Sequence, residues 1–151
     1  QPDILGSFER VLDPLILGEE TLQDIFELRL VLEMGLADLI FLRKTDDDIR
    51  ELEEIVKKEV NQVQKPFLVK NEIAFHGKLY QMTGNKTYLR FQSMLLPIFE
   101  YVLDYEIKTN GKVEVGKVTH RDLVQLLKTG TSEDFRQGMK EHLRPHFSRL
   151  T

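Results

Sequence analysis

Three of the four histidines fall on the apolar stripes of helices, the faces a folding chain must turn inward. At about 100° per residue, Glu72 and His76 stand one turn apart among Leu68, Val69, Phe75 and Leu79. His120 shares its arc with Leu123, Val124 and Leu127, and His142 shares its arc with Phe135 and Met139. Arg29 and Glu33 lie among Leu22, Ile25, Phe26, Leu36 and Ile40. Four helices thus each carry ionisable groups toward a common interior. Leaving such groups unpaired there costs several kcal/mol each, so the interior must contain something that satisfies them.

The helices themselves follow from apolar residues spaced three and four apart. One long helix is expected over about Thr21 to Lys44. Thr45 with Asp46, Asp47 and Asp48 reads as an N-cap and acidic first turn, opening a helix with Ile49, Leu52, Ile55, Val56 and Val63 on one side. Pro66 breaks the pattern or opens the next helix, which ends near Thr83 with Gly84-Asn85 as its stop. A helix from about Lys86 to Ile107 contains Pro97 as an expected kink. Thr119 and Asp122 have capping-box spacing, Gly130 ends that helix, and another begins at Thr131 or Ser132. Residues 1–17 add a possible leading helix, and Lys112 to Val115 a possible isolated strand. The expected fold is all-α: an antiparallel bundle of six to seven helices around a central metal or ligand pocket.

With 151 residues the chain suits one domain spanning 1–151. No cysteine is present, which excludes disulfides, zinc–thiolate and iron–sulfur sites and fits a cytoplasmic setting. A net charge of -4 without a basic stripe argues against direct grip on nucleic acid. The longest apolar run, around Leu28 to Leu42, is broken by Arg29, Glu33 and Asp38, so no membrane association is expected.

A divalent metal is the simplest partner for the inward-facing groups. Three neutral imidazoles and a carboxylate are donors suited to zinc, and also to nickel, manganese or iron. The i, i+4 spacing of Glu72 and His76 lets one helix supply two ligands. The competing reading is that each histidine is a core residue bonded to a backbone carbonyl, and that Arg29 and Glu33 form an intrahelical pair. His146 is a spare candidate beside Pro145. Arg29, charged and inward, is matched by an anion as a guanidinium–carboxylate fork, so a small di- or hydroxy-carboxylate between Arg29 and the metal answers both demands. An enzyme reading uses the same ion to activate water for hydrolysis, with Glu33 as base. A third reading is a helical interaction module with structural polar groups. No phosphate loop, nucleophile elbow or metalloprotease helix is present.

Several runs resemble the effector-binding C-terminal domain of FadR-type GntR transcription regulators. They are Phe26-Glu27-Leu28-Arg29 with Leu32-Glu33, Glu72-Ile73-Ala74-Phe75-His76, Met82-Thr83-Gly84-Asn85, His120 with Leu123 to Leu127 and Gly130, and Met139-Lys140-Glu141-His142-Leu143. The likeness spans about residues 20–145. It implies a ligand-sensing, homodimeric bundle that binds a divalent metal and a small organic acid, and no enzyme. It also implies DNA binding only through a separate N-terminal winged helix, which this chain is expected to lack. The family's metal ligands fall on Glu72, where the family has aspartate, and on His76, His120 and His142. Its pocket arginine falls on Arg29 and its Gly-Asn turn on Gly84 and Asn85, and the expected effector contacts are Arg29, Glu33 and Asn85. The helix from Lys86 is the expected dimer face, because Tyr88, Phe91, Leu95, Phe99, Tyr101, Val102 and Tyr105 spread over more than one side.

Overall fold

The computed structural model describes residues 18–60, 65–110 and 117–148. They form seven helices: α1 (Glu19–Met34), α2 (Leu36–Arg43), α3 (Asp46–Val60), α4 (Lys65–Met82), α5 (Lys86–Asn110), α6 (His120–Thr129) and α7 (Ser132–Ser148). There is no strand among the described residues, so the all-α bundle expected from periodicity is the fold. The expected leading helix and the Lys112 to Val115 segment lie outside the described residues.

Short polar sequences start these helices for a local reason. At α3, α6 and α7 a threonine hydroxyl accepts from the backbone N–H of an aspartate three residues on, and that aspartate accepts from the threonine N–H. The pairs are Thr45/Asp48, Thr119/Asp122 and Thr131/Asp134. Two N–H groups that a helix start leaves orphaned are thereby satisfied. Asn85 does similar work at α5, its Oδ1 accepting from the Tyr88 N–H at 3.0 Å.

The expected single helix from Thr21 to Lys44 is instead two, α1 and α2, divided at Gly35. Gly35 keeps a near-helical φ of -72° but a shallow ψ of -12°, and its N–H still reaches the Val31 carbonyl at 3.1 Å. A Cβ there would lie 3.4 Å from the Tyr88 hydroxyl, in van der Waals contact. Beyond Gly35, α2 buries Leu36, Ala37 and Ile40 completely. Pro97 and Pro145 both sit inside helices that continue past them.

Helix α4 packs against α2, α3 and α5, while α7 packs against α1, α2 and α6, and α3 also meets α6. The core between them contains Leu36, Ile40, Leu52, Phe75, Leu79, Leu123, Leu127, Phe135 and Met139. A smaller apolar cluster joins Leu95, Ile98 and Phe99 of α5 to Ile25 and Leu32 of α1. Leu95 and Phe99 are thus drawn inward, so less of α5 is left as an outer apolar face than the sequence suggests. Gly138 of α7 lies where a Cβ would come within 2.6 Å of Leu126 Cδ1. That glycine brings α7 close to α6 one turn before His142.

Gly84 ends α4 in the left-handed region, φ 68°, the region glycine enters without a Cβ penalty. Arg43 of α2 lies over this turn and donates to the Thr83 carbonyl at 2.5 Å. A Cβ on Gly84 would lie 3.2 Å from Arg43 Cδ. Gly84→Ala is expected to cost about 1–2 kcal/mol of stability. Chemical denaturation should show a lower midpoint at unchanged slope, and an unchanged midpoint would contradict this account.

Candidate metal centre and adjoining pocket

The bundle brings Glu72, His76, His120 and His142 together, with one potential ligand atom from each lying within 4.8 Å of the others. Glu72 and His76 come from α4, His120 is the first residue of α6, and His142 lies on α7. The three histidines are nearly completely buried, with 3–8% of their surface exposed. Glu72 Oε1 lies 3.0 Å from His120 Nε2, Glu72 Oε2 lies 3.3 Å from His76 Nε2, and the Nε2 atoms of His76 and His142 are 3.4 Å apart. The longer glutamate side chain therefore reaches the cluster.

The other ring nitrogen of each histidine is already committed. His76 Nδ1 bonds to Glu33 Oε1, His120 Nδ1 to Glu59 Oε1 at 2.6 Å, and His142 Nδ1 to the Val118 carbonyl at 2.8 Å. An acceptor at Nδ1 keeps the proton there in a neutral imidazole and turns the Nε2 lone pair inward. The rings are held in place as well: Phe75 stacks on His120 with centroids 4.0 Å apart, and His76 stacks on His142 at 5.3 Å. His120 Nε2 and Glu72 Oε2 are buried with no hydrogen-bond partner.

A divalent ion fits this donor set. Zinc–nitrogen bonds of about 2.0–2.1 Å place neighbouring ligand atoms roughly 3–3.4 Å apart, the range of the three short separations here. The orphaned Nε2 and Oε2 atoms are the ones that would face such an ion. The core-histidine reading describes His142 Nδ1 well, yet it leaves the inward convergence of three Nε2 atoms unexplained.

A narrow cavity of about 10 Å³ opens beside the cluster, lined by Arg29, Glu33, Glu72, His76, Tyr80 and Gln92 together with apolar residues of α4 and α5. Arg29 pairs with Glu33 through Nε at 3.3 Å, approaches Glu72 Oε2 at 3.9 Å, and lies over the Phe99 ring, 4.9 Å from its centroid. Its Nη1 is buried without a hydrogen-bond partner, as is the Tyr80 hydroxyl. The intrahelical pair and the unsatisfied guanidinium thus coexist.

The structure does not bring Asn85, expected as an effector contact, to this region. It is exposed and serves as the α5 cap. The side chain of His146 lies outside what the structure describes. Glu59, Tyr80 and Gln92 were not picked out by the helical wheels. Glu59 and His120 are 61 residues apart, and no spacing rule joins them.

Burial opposes charge throughout the cluster, and neighbours decide the outcome. At His120 burial is outweighed by Glu72 and Glu59, and the imidazole is pushed up to about 9. At His76 burial is likewise outweighed, by Glu33 and Glu72, and its value is raised. Burial and repulsion from these two hold His142 down at about 3. Despite burial, His76 and Arg29 hold the Glu33 carboxyl at about 2, and the two imidazoliums hold Glu72 well below the usual carboxylate range.

The FCD domain family model matches residues 24–145, so the chain belongs to the FCD family, the FadR C-terminal-like effector-binding domains of GntR-type regulators. It is a ligand-sensing domain of a transcription regulator, of a kind that works with a DNA-binding domain. Such regulators are generally not enzymes. A search of curated proteins finds no significant match. No helix among the described residues is long and apolar enough to cross a membrane.

The titration pattern has a consequence for stability. Raised folded-state values at His76 and His120 stabilise the metal-free fold below 6.5, and this contribution is lost as pH climbs through about 9. The lowered value at His142 acts oppositely, removing stability as pH falls from 6.5 toward about 3. The melting temperature of metal-free protein is therefore expected to peak near 6.5 and to decline toward 9. A flat or rising melting temperature over that interval would contradict the assignment.

Proposed function

We propose that this domain senses a small carboxylic acid through a divalent ion held by Glu72, His76, His120 and His142. The observation that carries the reading is the commitment of all three Nδ1 atoms to acceptors, leaving three Nε2 lone pairs and one carboxylate to converge. Zinc suits these N/O donors best, and nickel, manganese and iron are compatible with them. When bound, the ion would supply Lewis-acidic positions for the oxygen donors of an acid. Ligation requires neutral imidazoles, and neighbouring carboxylates raise His76 and His120, so metal uptake competes with protons at these two rings.

Arg29 supplies the second point of attachment. Its Nη1 lies beside the cluster without a partner, and a carboxylate accepts from a guanidinium as a fork. The cavity of about 10 Å³ has room for about one water. An acid must therefore part Arg29 from the α5 wall formed by Gln92, Leu96 and Phe99. Movement of α5 against α1 and α4 is the conformational difference through which binding would reach an attached DNA-binding domain. The hydrolase reading is the weaker alternative. Glu33, its candidate base, is engaged by His76 and Arg29 and held at about 2.

Calorimetry near neutral pH should give one zinc per chain with release of up to two protons, and affinity that rises as pH approaches about 9. With zinc bound, a di- or hydroxy-carboxylate should raise the melting temperature, and Arg29→Ala should weaken that effect while zinc binding persists. No zinc uptake would overturn the metal assignment, and an unchanged acid response in Arg29→Ala would remove Arg29 from the effector site.

The domain is also proposed to act as a homodimer. Val31 is 66% exposed, and Leu28 and Tyr101 are each 38% exposed, on the packed helices α1 and α5. Sedimentation at micromolar concentration should give twice the chain mass, and a single monomeric species would contradict the proposal.

A further inference from the structure

The three cluster histidines are oriented by very different acceptors. His76 bonds to Glu33, which is 1% exposed and also held by Arg29, and His142 bonds to a main-chain carbonyl. His120 alone depends on a side chain with access to water: Glu59 of α3, 23% exposed, 2.6 Å from Nδ1. No other hydrogen bond is seen to hold Glu59 in place among the described residues.

Phe75 does not make up for this weakness. Its stacking on His120, with an interplanar angle of 13°, fixes the plane of the imidazole. A half-turn about Cβ–Cγ returns the ring to the same plane while exchanging Nε2 with Cε1 and Nδ1 with Cδ2. Stacking is almost indifferent to that exchange. A neutral imidazole can also carry its proton on either nitrogen. An acceptor on the outer side removes both freedoms, because only the unflipped ring with its proton on Nδ1 can donate to it. Glu59 cannot itself join the ligand set, since it lies at the ring nitrogen opposite the one that faces Glu72.

We propose that Glu59 is a positioning residue that selects the flip state and tautomer of His120, and so makes His120 the ligand whose hold on the metal can be tuned from the protein surface. This rests on the metal reading given above. The inner ligands His76 and His142 would hold the ion firmly, and His120 would be the first to release it. Exchange of the ion with solvent would then take place on the α3–α6 side.

The test compares the wild-type chain with Glu59→Ala, Glu59→Gln and, as a surface control on the same helix, Glu54→Ala. Glu54 is 64% exposed and pairs only with Lys57 among the described residues. Competition against a chromogenic chelator gives zinc affinity, and chelator chase gives the dissociation rate. Glu59→Ala should lose roughly 10- to 100-fold in affinity, mostly through faster dissociation. Glu59→Gln, whose amide oxygen can still accept from Nδ1–H, should recover most of the loss, and Glu54→Ala should match wild type. Nitrogen NMR of the metal-free proteins, above the pH at which the imidazoles titrate, should show His120 protonated at Nδ1 in wild type and mixed in Glu59→Ala. Equal zinc affinity and release in wild type and Glu59→Ala would overturn the proposal while leaving the metal centre intact. If the wild-type chain takes up no zinc, the metal reading fails. The NMR comparison then decides the Glu59 assignment alone, and an unchanged tautomer in Glu59→Ala overturns it.

Discussion

Desolvation of the imidazoles is the constraint on which the rest of this structure depends. Three rings, the Glu33 carboxylate and a guanidinium are buried, with Glu72 partly buried beside them, in a bundle otherwise packed with Leu, Ile, Phe and Met. Each would destabilise the fold if left alone. The cost is offset through an outer ring of acceptors, Glu33, Glu59 and the Val118 carbonyl, and an inner carboxylate, Glu72, that faces two of the three rings. The inner ligand atoms of Glu72, His76, His120 and His142 converge on one region. Stability and binding capacity thus come from the same arrangement.

The fold delivers these groups with ordinary devices. The Thr119/Asp122 box places His120 at the first position of α6, directly after the cap. The extended chain just before it exposes the Val118 carbonyl to His142. Gly138 permits the close approach of α6 and α7, and the left-handed Gly84 turns α4 into α5 so that Phe99 can cover Arg29. At the C-terminus of α6, Lys44 donates to the Leu127 carbonyl at 2.5 Å, tying the α2–α3 turn to the helix that carries His120. None of these contacts touches the cluster's inner atoms, yet each sets the position of a helix that does.

The cavity beside the cluster is small, and one of its walls carries an incompletely satisfied guanidinium. Arg29 is held by Glu33 on one side and by the Phe99 ring on the other, with Nη1 left without a hydrogen-bond partner. An arrangement that is only partly satisfied can exchange partners at small cost, whereas a fully satisfied one resists change. The α5 wall packs on α4 on one side and on α1 on the other. Its packing against α1 rests on a cluster of few residues, separate from the main core.

Much of this was legible in the residues. A period of 3.6 assigns each side chain an azimuth on its own helix. That sufficed to turn Arg29, Glu33, Glu72, His76, His120 and His142 inward and to give an all-α bundle, because apolar neighbours on the same stripe must be buried with them. The Thr-x-x-Asp caps were legible for the same local reason. The split at Gly35 was not, since the apolar period runs through that glycine without interruption. Asn85 was given a ligand role where its chemistry is that of a cap, as an asparagine just after a glycine stop suits either. Above all, the wheel says nothing about which helices abut. The approach of α3 to α6 alone brings Glu59 to His120 across 61 residues, and the approach of α5 to α4 brings Gln92 to Tyr80 at one cavity. Hydrophobic patterning specifies which faces turn inward. Which groups meet there is decided only when the helices pack, because hydrogen bonds form between neighbours in space.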